Sequence, residues 1–183
     1  MAASSVKPQA AELGLIGLGV MGENLALNIE GHGYRVALWT HTEGKVQRFI
    51  ESSGASRRWV GTRTLEEFTA AIAPPRRILL MVSAGEPVDQ MLDRLTPGLA
   101  HDDVVIDGGN SFFRDTQQRE AALRARRISF VGMGVSGGEE GARYGPSLMP
   151  GGARAAYDLL RPVLEAIAAK TDSGPCVTYV GPD

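Results

Sequence analysis

The chain has one cysteine, Cys176, in 183 residues, so it forms no internal disulfide and is expected in a reducing, cytoplasmic setting. It also lacks an excess of either charge, with 19 Lys and Arg against 21 Asp and Glu and a pI near 5.9. The basic residues are scattered rather than gathered on one stretch, which argues against nucleic acid or an anionic membrane as partner. The opening M-A-A-S-S-V-K-P-Q-A has no apolar signal-peptide core, and no apolar run approaches the length that spans a bilayer. Repeats and low-complexity tracts are absent. His32, His41 and His101 show no ligand spacing with Cys176, so no metal is expected. The length fits one compact domain, expected over residues 12–183 behind a disordered tail of residues 1–11.

What the chain has is glycine in particular places. Leu13 to Gly22 reads L-G-L-I-G-L-G-V-M-G, a short apolar run that leads directly into Gly17, Gly19 and Gly22. In a strand-to-helix turn of this kind the first glycine permits the tight turn. The second admits a pyrophosphate to the backbone, and the third lets helix and strand pack closely. The anion would then rest on the free N–H groups of the helix N-terminus. The flanks agree, with a strand-like Glu12 to Ile16 before the motif and a helix-compatible Asn24 to Glu30 after it.

Hydrophobic periodicity extends the pattern. Strands are expected at Tyr34 to Trp39, Trp59 to Thr62, Ile78 to Val82, Val104 to Asp107 and Ile128 to Val131, with a last one at Cys176 to Val180. Helices are expected at Glu43 to Ser53, Thr64 to Ala73, Pro87 to Leu95, Phe113 to Arg126 and Ala153 to Ala169. This alternation predicts an α/β, Rossmann-type doubly wound fold, a mainly parallel sheet with helices on both faces and an added C-terminal α/β segment. Between Gly132 and Gly145 glycine becomes dense, at an entropic cost that some local requirement must justify.

The end of the second strand bears on which nucleotide is bound. NAD is usually held there by an acid about 20 residues past the glycines, yet no acid lies between Gly31 and Thr42. Thr40, His41, Thr42 and Lys45 instead offer hydroxyls and positive charge to a 2′-phosphate. The residues therefore favour NADP, with Glu43 read as a charge at the start of the following helix.

Three motifs together are similar to one family: G-L-G-V-M-G at Gly17 to Gly22, D-G-G-N-S at Asp107 to Ser111, and G-V-S-G-G-E-E-G-A-R-Y-G-P-S-L-M-P-G-G at Gly134 to Gly152. The chain resembles the cofactor-binding part of the decarboxylating 6-phosphogluconate dehydrogenases. The resemblance implies that Gly17, Gly19, Val20, Met21 and Gly22 hold the pyrophosphate side of NADP, and that Thr40, His41, Thr42 and Lys45 surround its 2′-phosphate. It places Val82, Ser83 and Ala84 against the cofactor, Asn110 between nicotinamide and sugar, and Ser136, Gly137 and Gly138 on the substrate, 6-phosphogluconate. Glu139 and Glu140 read as helix-start charges rather than catalytic acids. Other β-hydroxyacid dehydrogenases share the V-S-G-G core, and a stand-alone NADP-binding or regulatory module is the reading from another class.

The chain departs from the family in three places. Thr40-His41-Thr42 stands where the family commonly has Asn-Arg-Thr, and Ser83 stands where a Lys is common, so two cations near the cofactor are missing. The family's general-base Lys and general-acid Glu belong to a helical, dimer-forming domain that would follow Asp183. The resemblance therefore implies a homodimer for the full-length enzyme, and for these 183 residues NADP binding without turnover.

Overall fold

The computed structural model describes residues 9–54 and 58–182. Seven strands form one sheet: β1 (Leu13–Ile16), β2 (Val36–Trp39), β3 (Trp59–Gly61), β4 (Arg77–Leu80), β5 (Val104–Asp107), β6 (Ser129–Ser136) and β7 (Ser147–Gly152). Their spatial order is β3-β2-β1-β4-β5-β6-β7, and every neighbouring pair is parallel except the antiparallel β6–β7. The expected doubly wound α/β sheet is therefore present.

Central strands read as continuous apolar runs because helices cover both faces. Successive side chains point to opposite faces, and the burial divides accordingly. Leu13, Leu15, Val36, Leu38, Leu79 and Ile106 face one apolar layer, shared with α1 (Val20–Gly31) and α7 (Arg154–Ile167). Ile16, Ala37, Ile78, Leu80, Val105 and Phe130 face the other, which is closed by α3 (Leu65–Ala71), α4 (Glu86–Leu95) and α5 (Phe113–Arg124). Fully burying one such side chain contributes about 1.5–3 kcal/mol.

Helix starts carry local reasons. The Thr64 side chain caps α3 by accepting from the Glu67 amide at 3.1 Å, and the Glu67 carboxylate accepts from the Arg63 amide at 2.8 Å. Pro87 falls in the first turn of α4, where its missing N–H costs nothing. The remaining helices are α2 (Lys45–Ser52) and α6 (Gly138–Tyr144). Glu43 lies in the turn before α2 rather than in its first turn, because Gly44 adopts a left-handed cap at φ 70°.

The C-terminal segment differs from its expectation. β6 runs on to Ser136, well past Val131, and pairs with β7, for which no strand was expected. The glycines that hide these strands make room for close packing: a Cβ on Gly134 would sit 2.8 Å from Met149 Cε. Cys176 to Val180 lies extended along the free edge of β7, with hydrogen bonds from Leu148 N to Cys176 O and from Val180 N to Pro150 O. It forms only one isolated bridge, Leu148–Val177, and not the expected full strand. A short hairpin, β8 (Lys170–Thr171) with β9 (Gly174–Pro175), precedes it. Most of the expected N-terminal tail lies outside the described residues, and its last residue, Ala11, is buried and hydrogen-bonded to Ala71 and Ala73.

Candidate functional site

The strand order reverses between β1 and β4, and in open α/β sheets the crevice beyond the strand ends at that point is the usual ligand site. A cleft of about 620 Å³ lies there. Its walls include Gly17 and Gly19 from the turn after β1, Thr40, His41 and Thr42 after β2, and Lys45 at the start of α2. Val82 and Ser83 after β4 also line it, whereas the expected contacts Val20, Met21, Gly22, Ala84 and Asn110 do not. Sequence reasoning did not single out Arg94, which lines the same cleft from α4.

The three motif glycines have different surroundings. Gly17 has φ +99°, and a Cβ on it would overlap the Met81 carbonyl oxygen. A Cβ on Gly22 would overlap the Gly17 carbonyl oxygen, so this glycine sets how closely α1 approaches the turn. Gly19 is exposed, caps α1 at φ −77°, and a Cβ on it would meet nothing within 4 Å. The helix has no side-chain cap, which leaves its first amides without a side-chain acceptor beside the exposed Gly19. That is the cradle an anionic pyrophosphate requires, and the residues present fit a dinucleotide. In the first turn of α1, Val20 is 59% exposed while Met21 is half-buried against the core. Glu23 meets Lys45 Nζ at 3.3 Å.

A second hollow, of about 200 Å³, opens beside the end of β5. Asn110 lines it, at the left-handed φ of 62°. The loop is held from below by Asp107, which is 2% exposed and accepts from the Gly109 amide at 2.9 Å and from the Ser111 hydroxyl at 2.6 Å. Arg119, 6% exposed on α5, ties this loop to α4. Its guanidinium donates to Asp89 at 2.7 and 3.0 Å, to the Gly85 carbonyl at 3.0 Å, and to Ser111 at 3.1 Å. The Arg119 hydrogen bond holds the Asp89 carboxyl below the usual range, partly offset by desolvation, and the same bond raises the Arg119 pKa. The buried fork therefore stays charged and rigid.

The remaining expected contacts are not gathered into either hollow. Ser136, Gly137 and Gly138 form the exposed junction of β6 and α6, with φ 124° at Gly137 and 62° at Gly138. Ala84 is exposed beside Gly85, outside the cleft lining. Glu139 and Glu140 occupy the first turn of α6, as expected of helix-start charges. Asn28, buried in α1, donates Nδ2 to the Ala142 and Ile167 carbonyls, both at 3.0 Å, and so fixes α6 and α7 against α1. Asn28 holds helices and Arg119 holds a loop without either lining the cleft, and neither carries a motif. A polar residue on an otherwise apolar helix face was the available signal for Asn28.

The glycine turn, the switch-point crevice and the uncapped helix define a dinucleotide-binding Rossmann domain. Residues 12–181 match the family model described as the NAD binding domain of 6-phosphogluconate dehydrogenase, and the chain belongs to that family. The decarboxylating 6-phosphogluconate dehydrogenase of Synechococcus elongatus is 52% identical over 93% of the chain and 36% of its own length. The NADP(+)-dependent, decarboxylating enzyme of Bacillus subtilis is 49% identical over 94% of the chain and 36% of its length. A solved Plasmodium falciparum 6-phosphogluconate dehydrogenase, studied with NADP+ and with 6-phosphogluconate, superimposes with TM-score 0.88 at 37% identity, over 93% of this chain and 37% of that one. The chain thus spans about a third of the length of the curated relatives it matches. Among the described residues no helix is long and apolar enough to cross a membrane, and no group of metal-ligating side chains is found.

Proposed function

We propose that this chain is the NADP-binding portion of an enzyme that oxidatively decarboxylates 6-phosphogluconate to ribulose 5-phosphate. The observation that carries the reading is the cleft itself, which joins the glycine turn to an acid-free strand end bearing Thr40, His41, Thr42 and Lys45. The amides at Gly19, Val20 and Met21 take the pyrophosphate, with Gly17 and Gly22 shaping the turn. Thr40, His41, Thr42 and Lys45 take the 2′-phosphate, and Val82, Ser83 and Ala84 lie along the cofactor. Bound NADP supplies the hydride acceptor. Asn110, held in its left-handed conformation over Asp107 and Arg119, separates nicotinamide from substrate. Ser136 and the amides of Gly137 and Gly138 offer a hydroxyl and backbone donors to the substrate.

The 183 residues bind cofactor without turning substrate over. Of the lysines among the described residues, Lys45 is ion-paired with Glu23, and Lys170 donates to the Glu165 carbonyl. Neither lines the hollow beside Asn110, and a placed general base or acid contributes about 10²–10⁴ in rate. The full-length enzyme is a homodimer in this reading. Mixing the pure chain with NADP and 6-phosphogluconate should give a binding signal and no NADPH. NADPH formation at an ordinary dehydrogenase rate would refute the division of labour.

A further inference from the structure

The cations around the cleft are unequally available. Lys45 already meets the Glu23 carboxylate at 3.3 Å. His41 is exposed, and its ring Nε2 lies 3.4 Å from the Thr42 hydroxyl. Arg94 differs from both. It extends from the last turn of α4 into the lining shared with Thr40, His41, Thr42 and Lys45. Among the described residues no carboxylate lies within 4 Å of it, and the charge it feels is that of Glu66, which shares a neighbouring hollow with it and whose pKa is lowered mainly by hydrogen bonds and in smaller part by Arg94 through space. Its guanidinium carbon lies over the Trp39 ring, 5.2 Å from the centroid.

Trp39 makes that position definite. It is 4% exposed, it ends β2 directly before Thr40, and its indole N–H donates to the Arg63 carbonyl at 3.3 Å. A guanidinium stacked on an indole is attracted by the ring face while its N–H edge stays free. That edge is a planar fork matched to phosphate oxygens, and it stays charged at any working pH. An arginine at a helix C-terminus also complements the helix dipole. That role alone, however, requires neither the indole beneath it nor a place in the cleft wall.

We propose that Arg94, held on the Trp39 indole, is a specificity-determining residue of this chain and the principal cation for the 2′-phosphate of the bound dinucleotide. The assignment rests on the reading that the cleft takes NADP. It accounts for how a chain with His41 at the strand end and Ser83 after β4 can still distinguish NADP from NAD. It also gives α4 a direct part in recognition, opposite the strand end where the nucleotide's ribose is ordinarily read.

The test is calorimetric titration of NADP and of NAD into the wild-type chain, Arg94→Ala and Arg94→Lys. Loss of a charge-assisted contact should weaken NADP binding to Arg94→Ala about ten-fold or more and leave NAD within about two-fold, with Arg94→Lys between. Arg94 is exposed, and unchanged NAD affinity shows that the cleft of the variant is intact. Equal weakening of both nucleotides would overturn the proposal and make Arg94 a platform for the adenine. No change in either would leave it a solvated helix-end charge, with the NADP reading of the cleft still standing. Failure of the wild-type chain to bind either nucleotide would overturn the cleft reading and this assignment with it.

Discussion

Replacing each motif glycine by alanine should separate three jobs that one motif combines. At Gly19 the backbone is already compatible with alanine, at φ −77°, and the added methyl group meets nothing within 4 Å. Gly19→Ala should therefore keep the fold, because the gain of about 0.4–1 kcal/mol from the stiffer unfolded chain is offset by the poorer N-cap that alanine makes, and the melting temperature should stay within about 4 °C of wild type. The same methyl group would stand where the pyrophosphate must approach the first amides of α1. Losing one charge-assisted hydrogen bond costs about 1.5–3 kcal/mol, so NADP affinity should fall about ten- to a hundred-fold. Gly17→Ala and Gly22→Ala meet backbone carbonyl oxygens instead, and overpacking of this kind costs about 1–3 kcal/mol of stability or more. Thermal melts beside calorimetric titrations read both quantities on the same samples. A Gly19→Ala chain that melts normally and binds NADP with wild-type affinity would refute the placement of the pyrophosphate.

Other expectations concern the supports of the site. Arg119→Met leaves Asp107 buried with only its Gly109 and Ser111 bonds, and should cost about 3 kcal/mol in urea unfolding, the low end for a broken buried pair because Asp89 can be hydrated; a loss under about 1 kcal/mol would show the fork to be dispensable. Because Arg119 lowers the Asp89 pKa, that pair stabilises the fold above the ordinary aspartate pKa near 3.9 and ceases to do so as pH falls through the lowered value. Asp89→Asn should thus melt below wild type at neutral pH and converge with it as pH falls below about 4, whereas a constant gap would contradict the linkage. Asn28→Ala removes the two bonds that hold α6 and α7 to α1 and should cost about 2–3 kcal/mol, measurable in the same unfolding assay.

The parts of this structure that repeat a period were legible from the residues. Strands β1, β4 and β5 are apolar runs bounded by turns, and the G-x-G-x-x-G spacing marked both the turn and the start of α1. Trp39 and Trp59 are buried as large aromatics usually are, and His32 and His101 are exposed. The pairing of β6 with β7 was not legible, because Gly132, Gly134, Gly151 and Gly152 weaken the alternation that signals a strand while providing the close packing that builds it. Arg119 reads as one more charge on a polar helix, and only the fold brings Asp89, Gly85 and Ser111 around it. Arg94 likewise lies far along the chain from Thr40, and the βαβ crossover returns it to the same cleft.

The most direct test of the account is calorimetric titration of NADP and then NAD into the 183-residue chain at one pH and salt concentration. If the extra phosphate meets Arg94, Lys45 and the Thr40 to Thr42 turn as proposed, NADP should bind about ten-fold or more tightly than NAD, a difference of at least about 1.4 kcal/mol. Equal affinities, or binding of neither nucleotide, would contradict the cleft as an NADP site.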